Sequence, residues 1–370
     1  MDPIAWLFSL EHLGIKLGLA NIRRLVAALG HPERAFRSLI IAGTNGKGSV
    51  TAMIDAALRA AGRRTARYTS PHLSRLEERF VIDGRPVDAA ALADAADTVR
   101  AVTERLLAAG RLAAPPTFFE ATTATAFELF RRARVETAVL EVGLGGRLDA
   151  TNVAPADVAA IVSIDYDHQE QLGDDLASIA REKAGVVKRR RPVVVGELPP
   201  EAMAVVVRIA RAREAPLVRA LEGVRLESEL IDGAAVLDLE TPRHRYPPLR
   251  LALRGRHQIG NAVVAVRALE AWGEVAPAAV AAGLASVEWP GRLEWIALGG
   301  GRRVLLDGAH NPGGIAALAA YLAEFHPRPL PIVFGVMRDK PAARMLAALA
   351  PHASCWWLTQ PPTPRAADAA

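Results

Sequence analysis

The sequence predicts an α/β protein in two parts: a P-loop nucleotide-binding central-sheet domain, residues 1–288, then a smaller Rossmann-like α/β domain, residues 289–370. Three observations carry this. The apolar run Leu39-Ile-Ile-Ala42 passes directly into Gly43-Thr-Asn-Gly-Lys-Gly-Ser49 and then into a helical pattern, with Val50, Ile54, Ala57, Leu58 and Ala61 on one face. Two more apolar runs, 137–141 and 159–164, read as strands of a parallel sheet and lead into polar side chains. Past Trp289-Pro-Gly291 the pattern becomes strand 303–307, helix 313–325, strand 331–336, helix 341–350 and strand 354–359.

The 370 residues are 51% hydrophobic and 23% charged, an ordinary globular balance. No apolar run reaches the roughly 20 residues of a spanning helix, and the N-terminus lacks a basic start and a small-residue cleavage site, so no membrane association and a cytoplasmic protein are expected. The lone Cys355 agrees with a reducing compartment. The net charge of +5 is not gathered into a basic patch with aromatics, which argues against nucleic acid; Lys188-Arg-Arg-Arg191 reads as a solvated helix end. Only five lysines occur, Lys16, Lys47, Lys183, Lys188 and Lys340, and Lys16 and Lys188 read as surface residues.

Taken in order, residues 4–36 form two helical stretches, the second carrying Ile22, Leu25, Val26 and Leu29 and stopping at Gly30-His-Pro32; neither carries chemistry. In the loop, small residues let the backbone N–H groups close around oxyanions, the helix N-terminus adds partial positive charge, Lys47 adds a full one, and Ser49 is left for a metal. Thr65–Tyr68 is a strand leading into Thr69-Ser-Pro-His-Leu-Ser-Arg-Leu-Glu-Glu-Arg79, which proline keeps out of simple helix or strand and which reads as an exposed loop beside the phosphate site. A helix spans about 89–109 with Leu92, Val99, Val102 and Leu106 inward. Thr117-Phe-Phe-Glu120 opens another, with Phe127 and Phe130 buried. Such paired aromatics are usually core, yet a flat heterocycle also wants an aromatic face and a carboxylate.

Strand 137–141 ends in Glu141, placed to hold Mg²⁺ beside the phosphate loop, and Gly143-Leu-Gly-Gly-Arg-Leu-Asp-Ala-Thr-Asn152 follows at once. Beyond strand 159–164 lies Asp165-Tyr-Asp-His168, where His168 is either an ordinary hydrogen-bonded histidine or a second metal ligand. The helix from Leu176 to Val187 buries Leu176, Ile179, Ala180, Ala184 and Val187 and leaves Glu182 and Lys183 near its rim; alone, Lys183 reads as a surface lysine paired with a glutamate. Residues 192–255 give strand, helix and a hairpin at Asp232-Gly233. Gly255-Arg-His-Gln-Ile-Gly-Asn-Ala262 opens an apolar helix, with Asn261 no more than a cap. Asp307, at a strand end, suits a ribose hydroxyl.

Gly-Thr-Asn-Gly-Lys-Gly-Ser resembles the nucleotide loop of the Mur ligase superfamily, and Glu141-Val-Gly-Leu-Gly-Gly-Arg-Leu-Asp-Ala-Thr151 is similar to a signature of its folylpolyglutamate synthase and dihydrofolate synthase branch. The resemblance implies ATP contacts at 44–49, Asn261, Arg292 and Asp307. It implies a pterin site at His72, Thr117, Phe118, Phe119, Glu120, Leu148, Asp149 and Ala150. It further implies a metal site of two Mg²⁺ at Ser49, Glu141, His168 and a carbamylated Lys183, with Lys47, Lys183 and His310 catalytic. Pro341 stands where the family usually has an acid after Asp339-Lys340, and the chain ends at Ala370 some tens of residues before the family pattern, so an incomplete C-terminal sheet is expected.

The expected reaction joins L-glutamate to dihydropteroate or a reduced folate in a monomer: the carboxylate takes the γ-phosphoryl group of ATP, and the amine displaces phosphate from the acyl phosphate. Two rivals are a peptidoglycan Mur ligase, which would want a longer domain before the loop, and a nucleotide-binding protein without ligase turnover.

Overall fold

The computed structural model describes residues 2–369 except Glu274, Pro362 and Pro364; of the alanine-rich end only Ala370 lies outside them. The main sheet has eight strands: β1 (Arg37–Ala42), β2 (Thr65–Tyr68), β3 (Phe80–Ile82), β4 (Arg85–Pro86), β5 (Thr137–Glu141), β6 (Val158–Ile161), β7 (Val193–Val195) and β8 (Leu217–Arg219), in the order β4-β3-β2-β5-β1-β6-β7-β8. β2, β5, β1, β6, β7 and β8 are parallel, and β3 and β4 continue antiparallel.

Alternation along the central strands sorts their side chains to two faces. Leu39 and Ile41 of β1, with Val158 and Ala160 of β6, pack into the core formed with helices Lys47–Ala60, His257–Trp272 and Pro277–Ser286. Ile40 and Ala42, with Ala159 and Ile161, turn to the opposite face, against Leu176–Lys183 and Pro200–Ala212. On that face, Ala138 and Leu140 of β5 meet the helices Ala20–Ala28, Ala89–Ala108 and Phe118–Arg132. Because both faces are covered, the strands read as continuous apolar runs, as expected of a parallel sheet. A second sheet, Arg225–Ile231, Ala234–Glu240 and Leu249–Arg254, adds Leu237, Leu239, Leu249 and Leu251 to the first core. Its hairpin turns at Asp232 and Gly233, both at positive φ (50° and 81°), which the Asp-Gly pair predicts.

Beyond Ser286 a separate cluster gathers Leu293, Ile315, Tyr321, Leu322, Phe334, Val336, Met345 and Leu349. Here helix and strand alternate as expected, with one addition: Glu294–Ala297 pairs antiparallel with Arg303–Leu306, while Leu330–Phe334 pairs parallel with Ala353–Leu358. The extra strand is half exposed along its length, so it carries little hydrophobic alternation to read. Two boundaries also move. β6 stops at Ile161 because residues 163–165 turn away to bond the loop, and the helix after Leu176 gives way at Ala184 to a tighter turn through Val186.

Lys188 is not a solvated residue: its Nζ donates to Asn152 O and Oδ1, both at 2.7 Å, and burial pushes its pKa down to about 8. No helix among the described residues is long and apolar enough to cross a membrane.

Candidate functional site

The site forms where three adjacent parallel strands end. β1 runs between β5 and β6, with Ile41 opposite Glu141 on one side and Ala160 on the other. The loop leaving β1, the Glu141 carboxylate and the segment after β6 therefore meet at the carboxyl edge of the sheet, where open α/β sheets take their ligands. The cleft there measures about 630 Å³.

The back of the loop is stapled to the segment after β6. Thr44 N donates to Ser163 O and Asn45 N to Ser163 Oγ, both at 2.9 Å; Thr44 Oγ1 donates to Asp165 O at 3.1 Å and accepts from Asp165 N at 3.0 Å. These bonds occupy the amides of Thr44 and Asn45 and the Thr44 hydroxyl. The amides of Gly46, Lys47, Gly48 and Ser49 have no acceptor among the described residues. They are the orphan donors of a helix start, and the same four residues line the cleft. A Cβ on Gly46 would lie 2.4 Å from Asn261 Oδ1, and one on Gly48 would lie 2.4 Å from Trp289 Cζ2. Neither glycine can be larger without moving a neighbour.

Around this loop the charges are arranged in opposition. Lys47 Nζ donates to Gly43 O and Thr44 O at 3.1 Å, and Lys183 Nζ donates to the same Gly43 O at 2.9 Å. Burial and the nearby Lys47 lower the Lys183 pKa to about 7, with Asp167 opposing. Lys183 is thus buried at the site, not at a helix rim. Glu141 is buried too. Burial raises its pKa, Lys47 opposes, and Ser70 N donates to its Oε2 at 3.1 Å. His168 is pushed down to about 4 by burial, against Asp167 and reinforced by Lys340, Lys183 and Lys47, so its imidazole is neutral at pH 7. Burial works against Asp167 ionising, yet bonds from Lys340 (2.5 Å) and Asn311 (3.0 Å), with the charge of His168, hold it at about 2. Gln258 Nε2 donates to Ser49 Oγ at 3.2 Å while its Oε1 accepts from Asn261 Nδ2 at 2.9 Å. Among the described residues no three His, Cys, Asp or Glu side chains converge as a metal cluster.

Most of the residues expected at a pterin site line the cleft: Thr117, Phe119, Glu120, Leu148, Asp149 and Ala150 do, whereas His72 and Phe118 do not. These two form a layer behind Arg79, which does line it: Arg79 Nε donates to His72 Nδ1 at 2.9 Å and its guanidinium covers Phe118, whose other neighbour is Phe8 in a 5.8 Å stack. Thr117 and Glu120 cap one another, with Thr117 N to Glu120 Oε2 at 2.8 Å and Glu120 N to Thr117 Oγ1 at 3.2 Å. The Thr-x-x-Glu spacing is the signal for that capping box. Phe119 lies over Gly143, where a Cβ would come within 2.6 Å of its ring. The Asp149 carboxylate is taken up by the amides of Gly143, Leu144 and Thr151 and by the Thr151 hydroxyl, so it shapes the glycine-rich turn.

From the C-terminal part, Arg292, Asp307 and His310 all line the cleft. Asp307 holds the amides of Leu293 and Ala309, each at 2.9 Å, and His310 Nδ1 donates to Gly308 O at 2.8 Å, leaving Nε2 as an acceptor. Sequence reasoning passed over the segment 14–18, all of which lines the cleft, and over Arg79, Ser163, Gln258 and Asn311. Its glycines at 14 and 18, both at positive φ, were the available signal for a loop that departs from helix.

The "Mur ligase, glutamate ligase domain" family matches residues 291–370. Over 99% of its length the chain is 39% identical to the dihydrofolate synthase/folylpolyglutamate synthase of Mycobacterium tuberculosis, covering 80% of that protein. Its fold is similar to that of M. tuberculosis folylpolyglutamate synthase complexed with ADP and AMPPCP, with a TM-score of 0.91 and 38% identity over 99% of this chain and 85% of that one. Escherichia coli FolC in complex with DHPP and ADP gives 0.87 at 33% identity, over 100% of this chain and 86% of that one. With the loop, Glu141 and the glycine-rich turn at one cleft, the chain belongs to the dihydrofolate synthase/folylpolyglutamate synthase family of ATP-dependent carboxylate–amine ligases.

Proposed function

We propose that the chain, acting as a monomer, adds L-glutamate to dihydropteroate or to a reduced folate, using ATP to activate the acceptor carboxylate. The observation that supports this most is the row of four unpaired amides, Gly46 to Ser49, flanked by Lys47 and facing the same cleft as the Phe119 ring. Phosphate is held by the loop, and a flat ring has an aromatic face nearby.

In this reading the loop amides and Lys47 orient the γ-phosphoryl group and take up its developing charge. The substrate carboxylate oxygen attacks phosphorus, the bond to ADP breaks, and an acyl phosphate results. The amine of glutamate, having lost its proton, adds to the acyl carbon; the tetrahedral centre collapses with phosphate as the leaving group and the amide remains. Arg292 and His310 approach from the part of the chain after residue 288, which closes over the nucleotide, and Asp307 keeps free lone pairs for a ribose hydroxyl.

The donor chemistry fits magnesium: the Ser49 hydroxyl, the Glu141 carboxylate and the neutral His168 imidazole are offered beside a phosphate site, where substrate oxygens complete the shell. Bound there, one or two Mg²⁺ would neutralise phosphate charge. Lys183 is a cation out of place among such ions, and the lowering to about 7 supplies a neutral amine able to add CO₂ and become an anionic carbamate. Phosphate release measured with ATP, Mg²⁺, glutamate and either dihydropteroate or tetrahydrofolate tests the reading. Release should require glutamate and one of the two pteroates together; release with nucleotide alone would refute it.

A further inference from the structure

A second cavity, of about 360 Å³, lies next to the cleft and shares Leu148 with it as a wall. Its lining is rich in cations: Arg23, Arg147, Lys188 and Arg213. Among the described residues no carboxylate pairs with Arg23, Lys188 or Arg213. Glu182 is taken by Arg147 at 2.9 Å, and Glu214, beside Arg213 in sequence, is held by Arg189 and Arg190. Neither the Arg23 nor the Arg213 guanidinium has a hydrogen bond or ion pair among the described residues. Among the described residues Lys188 bonds only the neutral oxygens of Asn152, and burial, with both arginines, depresses its pKa. Three cations turned on one space without an anion repel each other, and guanidinium groups are matched to planar carboxylates.

We infer that this cavity is a subsite for the carboxylates of an oligo-γ-glutamyl tail carried by the folate substrate. The inference rests on the ligase reading above and extends it to chain length. Leu148 belongs to both spaces, so the inner residues of a long tail bulge over that side chain and set their α-carboxylates among Arg23, Lys188 and Arg213, while the terminal γ-carboxylate, the reacting group, stays in the cleft at the loop. One carboxylate compensates one cation; successive carboxylates compensate all three, which favours longer tails over a single glutamate.

The test is the Arg23→Ala/Arg213→Ala double variant, in which two exposed, unbonded side chains are shortened, with Lys188→Met as an independent variant and thermal unfolding to confirm folding. Steady-state kinetics are measured with ATP, Mg²⁺, glutamate and tetrahydrofolate carrying one or four glutamyl residues. The expected result is a KM for the tetraglutamate raised roughly tenfold, with the monoglutamate KM and both kcat values within about twofold of wild type. Equal effects on the two substrates, or none on either, would overturn the subsite while wild-type turnover of the monoglutamate keeps the ligase reading intact. An inactive wild type would overturn both. Orthophosphate at matched ionic strength is the remaining arm: inhibition of both substrates alike, lost in the double variant, would assign the cavity to free phosphate and overturn the tail.

Discussion

Lys47 and Lys183 send their ammonium groups to one acceptor, the carbonyl oxygen of Gly43, at 3.1 and 2.9 Å. Burial of Lys183 disfavours its ammonium form first and the charge of Lys47 adds to that, so the Lys183 pKa drops to about 7. Above that pH its amine is neutral and can add CO₂, forming an N–C bond and releasing a proton. The product is an anion beside Lys47, so repulsion becomes attraction. Native mass spectrometry or ¹³C-bicarbonate labelling at pH 8 should detect one CO₂ on Lys183, and labelling should decline as the pH falls below 7. Lys183→Met should lower turnover by roughly a hundredfold or more at saturating Mg²⁺. Unchanged turnover would remove the carbamate from the mechanism.

Gly48 separates the lysine from the serine of the loop, and the Trp289 indole fills the space where its side chain would be. The indole is itself engaged by Arg67, whose guanidinium lies 5.4 Å from the centre of the ring, so its displacement disturbs a second contact. Gly48→Ala should therefore displace the loop and weaken ATP binding, at a cost of about 1–3 kcal/mol. The double variant Gly48→Ala/Trp289→Leu should recover part of that affinity. Isothermal titration with a non-hydrolysable ATP analogue checks both, and equal losses in the single and double variants would mean that the steric account is wrong.

Asp167 joins the two parts of the chain through Lys340 and Asn311, with the Asp167 and Lys340 side chains only 8% and 7% exposed. Its carboxylate is held at about 2, below its usual 3.8. The sign follows: the stabilisation is full above about pH 4 and is lost as pH falls towards 2, where the folded state must also take up the proton. Lys340→Met leaves a buried carboxylate without its cation, which costs roughly 3–5 kcal/mol. Thermal unfolding from pH 3 to 7 should show a lower Tm for the variant at neutral pH and a gap that narrows on acidification. A gap independent of pH would locate the loss in packing.

What the sequence made legible was local. The loop, its helix, the strand ending in Glu141 and the Asp232-Gly233 hairpin each follow from a few neighbouring residues with fixed conformational demands. What it hid was contact over distance. By pattern alone Lys183, in Arg-Glu-Lys-Ala-Gly, reads as a lysine near a helix rim; the family resemblance assigned it to the metal site, and its bond to Gly43, 140 residues away, is the contact that brings it to the loop. Asp167, Asn311 and Lys340 likewise have no common pattern until the chain folds. Thr117 and Glu120 show the local case again: their Thr-x-x-Glu spacing announces a capping box, which they form at the edge of the cleft they line.

Glu141 offers a test that separates chemistry from support. Its burial raises the pKa, so the ionised form is held in the folded state at a cost, and the Ser70 amide and Lys47 offset only part of it. Glu141→Gln keeps an oxygen for the Ser70 N–H and removes the charge. A residue retained for stability would then lower Tm when changed; one retained for metal and phosphate would not. The expected outcome is a Tm equal to or above that of wild type, a raised Mg²⁺ requirement, and turnover reduced by roughly a hundredfold. Full turnover, or a lower Tm with an unchanged Mg²⁺ dependence, would take Glu141 out of the metal site and leave it a structural acid at the end of its strand.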